Sequence, residues 1–302
     1  MNITIKAAVD SYLNYLKLRV KQTSYRSISN RINNYIMPYF DTNMNIFELS
    51  NIDYLKWQQW VNSKNLKIRY KKTLHICFVT FLNFCCKFYE LKKNVASNVG
   101  NFKDINECED IGQVWNYQEY KQFINSIDND LQYKVLFEFL YLTGARIGET
   151  TGLTFSDLKD NTISIHTNMT RFLNGNGERI KTSTKTKKST RIICIDNHLK
   201  NEILKLQTYY IRKFDNFNNN FYIFGGNKPL AFTTITRKKN YYCKKSNVKQ
   251  IKLHEFRHSH AYLLFLNNVP INEISHRLGH AKISTTTDIY MRFIPQNEKK
   301  TF

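Results

Sequence analysis

The stretch LHEFRHSHA, residues 253–261, combines a helical pattern with side chains that can bind an anion. On a helix, His254 and Arg257 project together, whereas Phe256 faces the core. Zinc-binding helices also carry His at i and i+4 with a Glu between, but His254 and His258 lack a suitable third ligand nearby. We therefore interpret His254 and Arg257 as hydrogen-bond donors for a phosphate oxygen.

An arginine follows a predicted helix end in the segment TGARIGE, residues 143–149. Gly144 can adopt the left-handed conformation that ends a helix, so Arg146 would begin the next short helix. Glu149 lies three residues later on the same face, where its carboxylate can hold the guanidinium. Taken alone, the segment is equally compatible with an ordinary surface ion pair.

A second glycine turn precedes a histidine in Arg277-Leu278-Gly279-His280. Gly279 permits a sharp stop after the predicted helix 271–278 and leaves His280 on the turn. Ser284 can then cap a following helix that carries Tyr290. Since the chain contains 19 tyrosines, Tyr290 alone would be assigned a structural role.

A basic segment, KTSTKTKKSTR at residues 181–191, separates two predicted strands. Its charge predicts a basic hairpin, although a solvated hairpin without a function is the alternative. The chain as a whole carries 45 Lys and Arg against 24 Asp and Glu, a net charge of +21. Such a surplus indicates a polyanionic partner, first of all nucleic acid, more strongly than a merely basic soluble protein.

The patterning predicts a mainly α protein with a small antiparallel β-sheet (α+β) of about three strands. Residues 1–95 read as a helical unit, 96–111 as a linker and 112–302 as a second unit. The six cysteines form no C-x-x-C pair, which favours a reducing cytosol. No run of about 20 apolar residues and no secretion signal is evident, so we expect no membrane association.

In order and spacing, these segments resemble the tyrosine recombinases, or phage integrase family. That family carries an Arg in a T-G-x-R-x-x-E turn, a hairpin Lys, an H-x-x-R-H helix, an L-G-H turn, and a Tyr ten residues after its His. The resemblance covers roughly residues 115–293, and the first unit resembles the family's SAM-like core-binding domain more generically. It assigns catalytic roles to Arg146, Lys185, His254, Arg257, His280 and Tyr290, and supporting roles to Glu149 and His258.

The resemblance implies that a tyrosine attacks a DNA phosphate and forms a 3′-phosphotyrosine, with no metal or nucleotide cofactor. Arg146 and Arg257 would neutralise the non-bridging oxygens, and His280 would add a hydrogen bond. His254 would assist proton transfer at the Tyr290 hydroxyl. Lys185 would protonate the 5′-oxygen that leaves.

The hairpin lysine is chosen by a motif: residues 185–191 resemble the family's K-T-K-x-S-x-R hairpin. A slip of the hairpin register would instead present Lys181, Lys187 or Lys188.

The implied partner is double-stranded DNA that carries specific recombination sites, bound in a strongly salt-dependent way. The family also implies a tetramer on DNA, an accessory directionality factor and a bacterial cytoplasmic location. We favour a phage or mobile-element integrase over a chromosome-dimer resolvase, a type IB topoisomerase or a non-catalytic DNA-binding regulator. Candidate DNA-backbone contacts are Lys67, Arg69, Lys71, Lys72, Lys187, Lys188, Arg237, Lys238 and Lys239.

Overall fold

The computed structural model describes residues 2–103, 112–173, 179–183, 190–280, 282–284 and 286–287. Contacts divide the chain into two compact units, with the division between residues 109 and 110. Each unit buries its own hydrophobic core. Within the described ranges, no helix has both the length and the apolar character needed to cross a bilayer.

The first unit is helical, as the sequence predicts. Ser50 and Asp53 form a capping box, in which the Ser50 side chain accepts from the Asp53 N–H and Asp53 accepts from the Ser50 N–H. One helix continues into a π-helical turn at Ile32–Ile36, and a 3-10 turn spans Ile46–Glu48. The α-helices are α1 (Ile5–Lys17), α2 (Gln22–Arg31), α3 (Asn51–Asn62), α4 (Ile68–Tyr89) and α5 (Val95–Val99).

The apolar run at residues 74–89 predicts the core helix of the first unit, and helix α4, which contains this run, does supply much of that core. Phe78 and Phe81 on α4 are almost fully buried, and the Phe78 ring centroid lies 4.9 Å from that of Trp57. Burying a side chain of this size contributes about 1.5–3 kcal/mol to folding.

The first core extends beyond residue 95 into the segment that the sequence assigned to a linker. Ala96 on α5 and Phe102 are buried in this core. The linker prediction depends on turn-forming residues such as Asn94 and Gly100, but these two residues flank the short helix α5. Asn94 accepts from the Ser97 N–H at the start of the helix, and Gly100 follows its end at a φ of +88°.

The second unit combines seven described α-helices with five short strands. Its helices are α6 (Tyr117–Asn125), α7 (Leu131–Thr143), α8 (Ile147–Gly152), α9 (Asn197–Lys213), α10 (Phe232–Lys245), α11 (Glu255–Leu266) and α12 (Ile271–Leu278). Its strands are β1 (Leu158–Lys159), β2 (Thr162–Ile165), β3 (Thr167–Leu173), β4 (Arg179–Ser183) and β5 (Arg191–Cys194).

The strands form two antiparallel sheets where the sequence predicts one small sheet. One has the order β1-β2-β5, with Ile163 opposite Ile193, and the other pairs β3 with β4. Polar and apolar residues alternate at 162–165, which predicts a strand, and β2 confirms it. The sequence also carries Asn-Gly pairs, which are hairpin signals, at residues 174–177, outside the described residues.

A buried histidine joins three helices of the second unit. The His260 Nδ1–H on α11 donates to the Tyr141 carbonyl of α7 at 2.9 Å, and Nε2 accepts from Arg277 Nε on α12 at 3.1 Å. Burial and the Arg277 charge lower the pKa of His260 to about 3. His260 is therefore neutral in the folded protein from mildly acidic pH upward.

Acid should destabilise the second unit through His260. Below pH 6.5 the unfolded chain binds a proton there that the folded chain does not, so this stability is present above pH 6.5 and lost below it. One such histidine lowers the unfolding free energy by about 2 kcal/mol between pH 7 and pH 5. We expect His260→Asn to remove that share of the pH dependence.

The measurement is urea unfolding followed by Trp115 fluorescence, in a Trp57→Phe/Trp60→Phe background that silences the first unit. His276→Asn, which changes an exposed histidine of α12, serves as the matched control and should keep the wild-type slope. Equal slopes for wild type and His260→Asn would contradict the prediction.

Candidate active site

The predicted helix break before Arg146 is confirmed. Gly144 ends α7 in the left-handed conformation, with a φ of +64°, and Arg146 is the residue immediately before α8. A Cβ atom on Gly144 would lie 2.7 Å from side-chain atoms of both His260 and Leu278. The position therefore needs glycine for both conformation and space.

Glu149 is a buried anchor for Arg146 and not part of a surface pair. Its carboxylate accepts from the Arg146 backbone N–H at 2.9 Å and from Arg146 Nη1 at 2.8 Å. Arg191 on β5 donates to the same two oxygens at 3.0 and 3.3 Å. Burial alone would raise the pKa of Glu149, but the hydrogen bonds and charges of these arginines outweigh it and lower the pKa.

Arg257 places a nearly buried guanidinium beside this anchor. Its side chain donates from Nη1 to the Gly144 carbonyl at 3.0 Å and from Nη2 to the Leu278 carbonyl at 2.6 Å. Burial and the nearby charge of Arg146 lower the pKa of Arg257, but a guanidinium stays protonated in proteins. These two bonds fix the plane of the guanidinium, which has five N–H donors in all.

His280 lies on the turn that Gly279 creates after α12, as predicted. Burial is the largest cause that lowers the pKa of His280 to about 3, and the charges of Arg257 and Arg146 come next. The imidazole is therefore neutral, and Arg257 lies near it because its guanidinium bonds the Leu278 carbonyl two residues before His280. Its Nδ1 lies 2.7 Å from the hydroxyl of Thr286, a buried residue that the sequence did not single out.

The two histidines of the H-x-x-R-H segment lie at the start of α11. His254 immediately precedes the helix and is exposed, and its ring centroid is 4.4 Å from that of His258. The charge of His258 contributes to the lowered pKa of His280. The structure therefore brings His254, Arg257, His258 and His280 into one region, together with Arg146 and Glu149.

Two predicted catalytic residues, Lys185 and Tyr290, lie outside the described residues, as do Lys187 and Lys188, the alternatives to Lys185 and predicted DNA contacts. Lys181 lies on β4, with its ammonium 5.9 Å from the centroid of the Tyr222 ring.

The β3–β4 hairpin is attached to the helix that follows Arg146. Gly148 of α8 has no room for a Cβ atom, which would overlap Asn168 Oδ1 and lie 2.8 Å from the Met169 carbonyl oxygen. One turn later, a Cβ atom on Gly152 would lie 3.0 Å from the Thr167 hydroxyl. The two glycines let β3 lie directly against α8.

The predicted DNA contacts of the first unit lie at the start of α4. Lys67 and Arg69 are exposed, while Lys71 and Lys72 are half-buried. Lys71 Nζ donates to the Asn62 carbonyl at 3.2 Å. The exposed Lys67 and Arg69 stay predicted phosphate contacts.

The predicted contacts on α10 need correction. Lys239 is only 4% exposed and donates to the Ile251 carbonyl, so its assignment as a DNA contact is wrong. It shares the core face of α10 with Ile235 and Cys243 at four-residue spacing. Lys238 Nζ forms an ion pair with Asp130 Oδ2 at 2.6 Å, whereas Arg237 is exposed.

Arg191 and Arg277 are further site residues that the sequence did not assign. Arg191 Nε donates to the Arg277 carbonyl at 2.9 Å, and Arg277 donates to the Leu142 and Cys194 carbonyls. The sequence does contain a signal for Arg191. It lies two residues before Ile193 on the same strand, so both side chains point to the inward face. An arginine there requires a buried acceptor.

Filling the gap between α8 and β3 should loosen the hairpin. We expect Gly148→Ala to lower the stability of the second unit by about 1–3 kcal/mol, because the methyl group must displace the backbone of β3. Thermal unfolding of the purified protein measures this loss. Adding Asn168→Ala, which removes one of the two obstructing atoms, should restore part of it, and an unchanged melting temperature in Gly148→Ala would refute the tight contact.

The phage integrase family matches residues 113–296, and its N-terminal SAM-like domain matches residues 4–64. The ICEBs1 integrase of Bacillus subtilis (strain 168) is 25% identical over 99% of this chain and 82% of its own length. The integrase of Staphylococcus phage L54a is 27% identical over 95% of this chain and 88% of its own length.

The fold is also found among solved structures. A lambda integrase tetramer bound to a Holliday junction superposes with a TM-score of 0.70 at 15% identity, covering 95% of this chain and 77% of that one. The family match alone spans more than half of the 302 residues. The chain thus belongs to the phage integrase family, the tyrosine site-specific DNA recombinases.

Proposed function

We propose that this recombinase cuts and rejoins duplex DNA through a covalent 3′-phosphotyrosine at Tyr290, with the described site binding the scissile phosphate. The convergence of Arg146, Arg257 and His280 carries this proposal, because Arg257 bonds the carbonyls that lie two residues before Arg146 and two residues before His280. Arg146 and Arg191 bond to the Glu149 carboxylate, and the Arg257 charge interacts with it, so these three guanidiniums exceed this one carboxylate by two positive charges. A phosphodiester supplies compensating negative charge.

The two catalytic arginines match the charge that develops during cleavage. The transition state concentrates negative charge on the non-bridging oxygens, and fixed N–H donors stabilise it without reorganisation. Arg257 is held by two carbonyls and Arg146 by Glu149, so both guanidiniums are oriented before DNA binds. Bidentate arginine–phosphate bonds add geometric specificity.

His280 has a defined role if the Thr286 hydroxyl donates to its Nδ1. The imidazole proton then resides on Nε2, and this N–H can donate to a phosphate oxygen. A neutral histidine acts here as a fixed donor and not as a titrating acid, in agreement with its lowered pKa.

The proton transfers are assigned to residues from several segments. The Tyr290 oxygen attacks phosphorus as its proton leaves with help from His254, and Lys185 gives a proton to the departing 5′-oxygen. The reverse attack by a 5′-hydroxyl releases the tyrosine and reseals DNA, so the phosphate bond energy is conserved. Each proton transfer in this scheme is carried by a side chain of the protein.

We assign the reaction to a phage or other mobile element whose DNA carries specific sites, in the bacterial cytoplasm. The lambda integrase structure is a tetramer on a Holliday junction, and the same assembly is proposed for this chain. An accessory directionality factor is a further proposed partner. The exposed Lys67 and Arg69 of the first unit, and Arg237 of the second, are candidate phosphate contacts.

The deciding experiment traps the covalent intermediate. A nicked duplex that carries the end junction of the encoding element is incubated with protein in EDTA and analysed on a denaturing gel. We expect a protein–DNA adduct with wild type and none with Tyr290→Phe. The matched control is Tyr262→Phe, which removes the hydroxyl of a tyrosine on α11 and should leave the adduct intact.

An adduct that persists in Tyr290→Phe would overturn the choice of nucleophile. Bound DNA without any adduct would favour a DNA-binding regulator. Relaxation of supercoiled plasmid of any sequence, without joining of two sites, would favour a type IB topoisomerase.

Loss of the Thr286 hydroxyl should weaken catalysis through His280. We expect Thr286→Val to slow adduct formation about 10-fold, as is typical when a partner that orients a catalytic side chain is lost. Thr286→Ser keeps the hydroxyl and should retain most of the rate. The measurement is single-turnover cleavage at saturating DNA, and equal rates for Val and Ser would refute the proposed hydrogen bond.

A further inference from the structure

We propose that Arg191 is a positioning residue for DNA cleavage, which holds Glu149 in place so that Arg146 presents its guanidinium to the scissile phosphate. This inference rests on the proposed function of the same site. It assigns a task to the residue that ends the basic segment 181–191, beyond the lysine expected within that segment.

Arg191 is fixed on two sides. It is 8% exposed at the start of β5, where it pairs with Ile165 of β2. Its two terminal nitrogens donate to the two oxygens of Glu149, and its Nε donates to the Arg277 carbonyl. Arg277 lies three residues before His280. The Arg191 guanidinium therefore bonds both to the carboxylate that holds Arg146 and to the backbone that leads to His280.

Arg146 depends on this arrangement because its own side chain is 41% exposed. Among the described contacts, its guanidinium is held by Glu149 alone. Holding a long, half-exposed side chain costs conformational entropy, so its anchor must itself be rigid. A carboxylate whose two oxygens also accept from a second, bidentate arginine meets this requirement.

Glu149 in turn depends on Arg191 to remain ionised. Its side chain is 2% exposed, and two of its four described hydrogen bonds come from Arg191. Without them, burial would favour the neutral carboxyl group, which binds Arg146 less strongly. The proposed effect on cleavage therefore has a pH signature.

Other groups near Glu149 must be accounted for in that signature. Arg191 and Arg146 lower the pKa of Glu149, and the Arg257 charge also interacts with this carboxylate. The titratable group next to these arginines is His280, on which His258 also acts, and the charge of Arg191 contributes to the lowered pKa of His280. Arg191→Gln and the double variant both lose that contribution, so the comparison between these two variants isolates the Glu149 carboxyl group.

The test compares Arg191→Gln, Glu149→Gln and the double variant in single-turnover cleavage at saturating nicked DNA, from pH 5 to pH 9. We expect each single variant to be slower than wild type by about 10- to 100-fold at pH 8. The double variant should be no slower than the slower single variant, because both residues act through one contact. Arg191→Gln should lose further activity as the pH falls, and the double variant, which has no carboxyl group there, should not.

A control separates positioning from loss of stability. Ile193→Val removes a methyl group from the inward face of the same strand, so it should lower the melting temperature without adding an acid-dependent loss. If Arg191→Gln does not fold, Arg191→Lys replaces it. A lysine keeps the charge but not the bidentate geometry, so it should also be slow and show the same non-additivity with Glu149→Gln.

Multiplicative rate losses in the double variant would overturn the inference. So would an Arg191→Gln rate within about twofold of wild type, a change too small for the loss of an orienting partner, or a pH profile that matches Ile193→Val. Adduct formation by wild type distinguishes failure of the proposed function from failure of this inference. If wild type forms no adduct, the proposed function fails. If wild type cleaves but the two substitutions act independently, only the role of Arg191 fails.

Discussion

The site depends on one buried carboxylate shared by two arginines. The Glu149 carboxylate accepts from the backbone N–H and the guanidinium of Arg146, and both of its oxygens accept from Arg191. A buried charge is tolerated only when it is paired and hydrogen-bonded, and here two arginines meet both conditions. This pairing joins the helix that follows Arg146 to the strand that follows the basic segment. The proposed phosphate site is thereby built into the core of the second unit, although Arg146 itself remains partly exposed.

The same arrangement leaves the site charged but keeps His280 neutral. Arg146, Arg191 and Arg257 exceed Glu149 by two charges, and burial together with the field of these cations opposes protonation of His280. A cationic histidine would add repulsion before DNA is bound. A neutral imidazole with a fixed tautomer instead offers a hydrogen bond at no additional charge. In the proposed function, the guanidiniums therefore supply positive charge, and the imidazole supplies an oriented hydrogen bond.

Much of this site could be predicted from the sequence because local rules determine it. Gly144 and Gly279 end helices in the left-handed conformation, and each thereby places the Arg146 or His280 that follows it. Long-range contacts could not be predicted in the same way. The Thr286 hydroxyl becomes a partner of His280 only after the chain turns, and Arg191 meets Glu149 from 42 residues away. The first core reaches Phe102 for a similar reason, since turn formers do not reveal whether the chain after them packs or leaves.

The helix α10 illustrates why total charge is a poor guide to where a polyanion binds. Lys238 and Lys239 looked like a basic surface, yet one is paired with Asp130 and the other is buried beneath the helix. Lys245 is likewise paired with Asp128. A cation with a nearby carboxylate contributes little to the field that a phosphate meets, whereas the unbalanced arginines around Glu149 contribute fully. The net charge of +21 therefore indicates the class of partner, and the local balance of charges supports the surface proposed for the scissile phosphate.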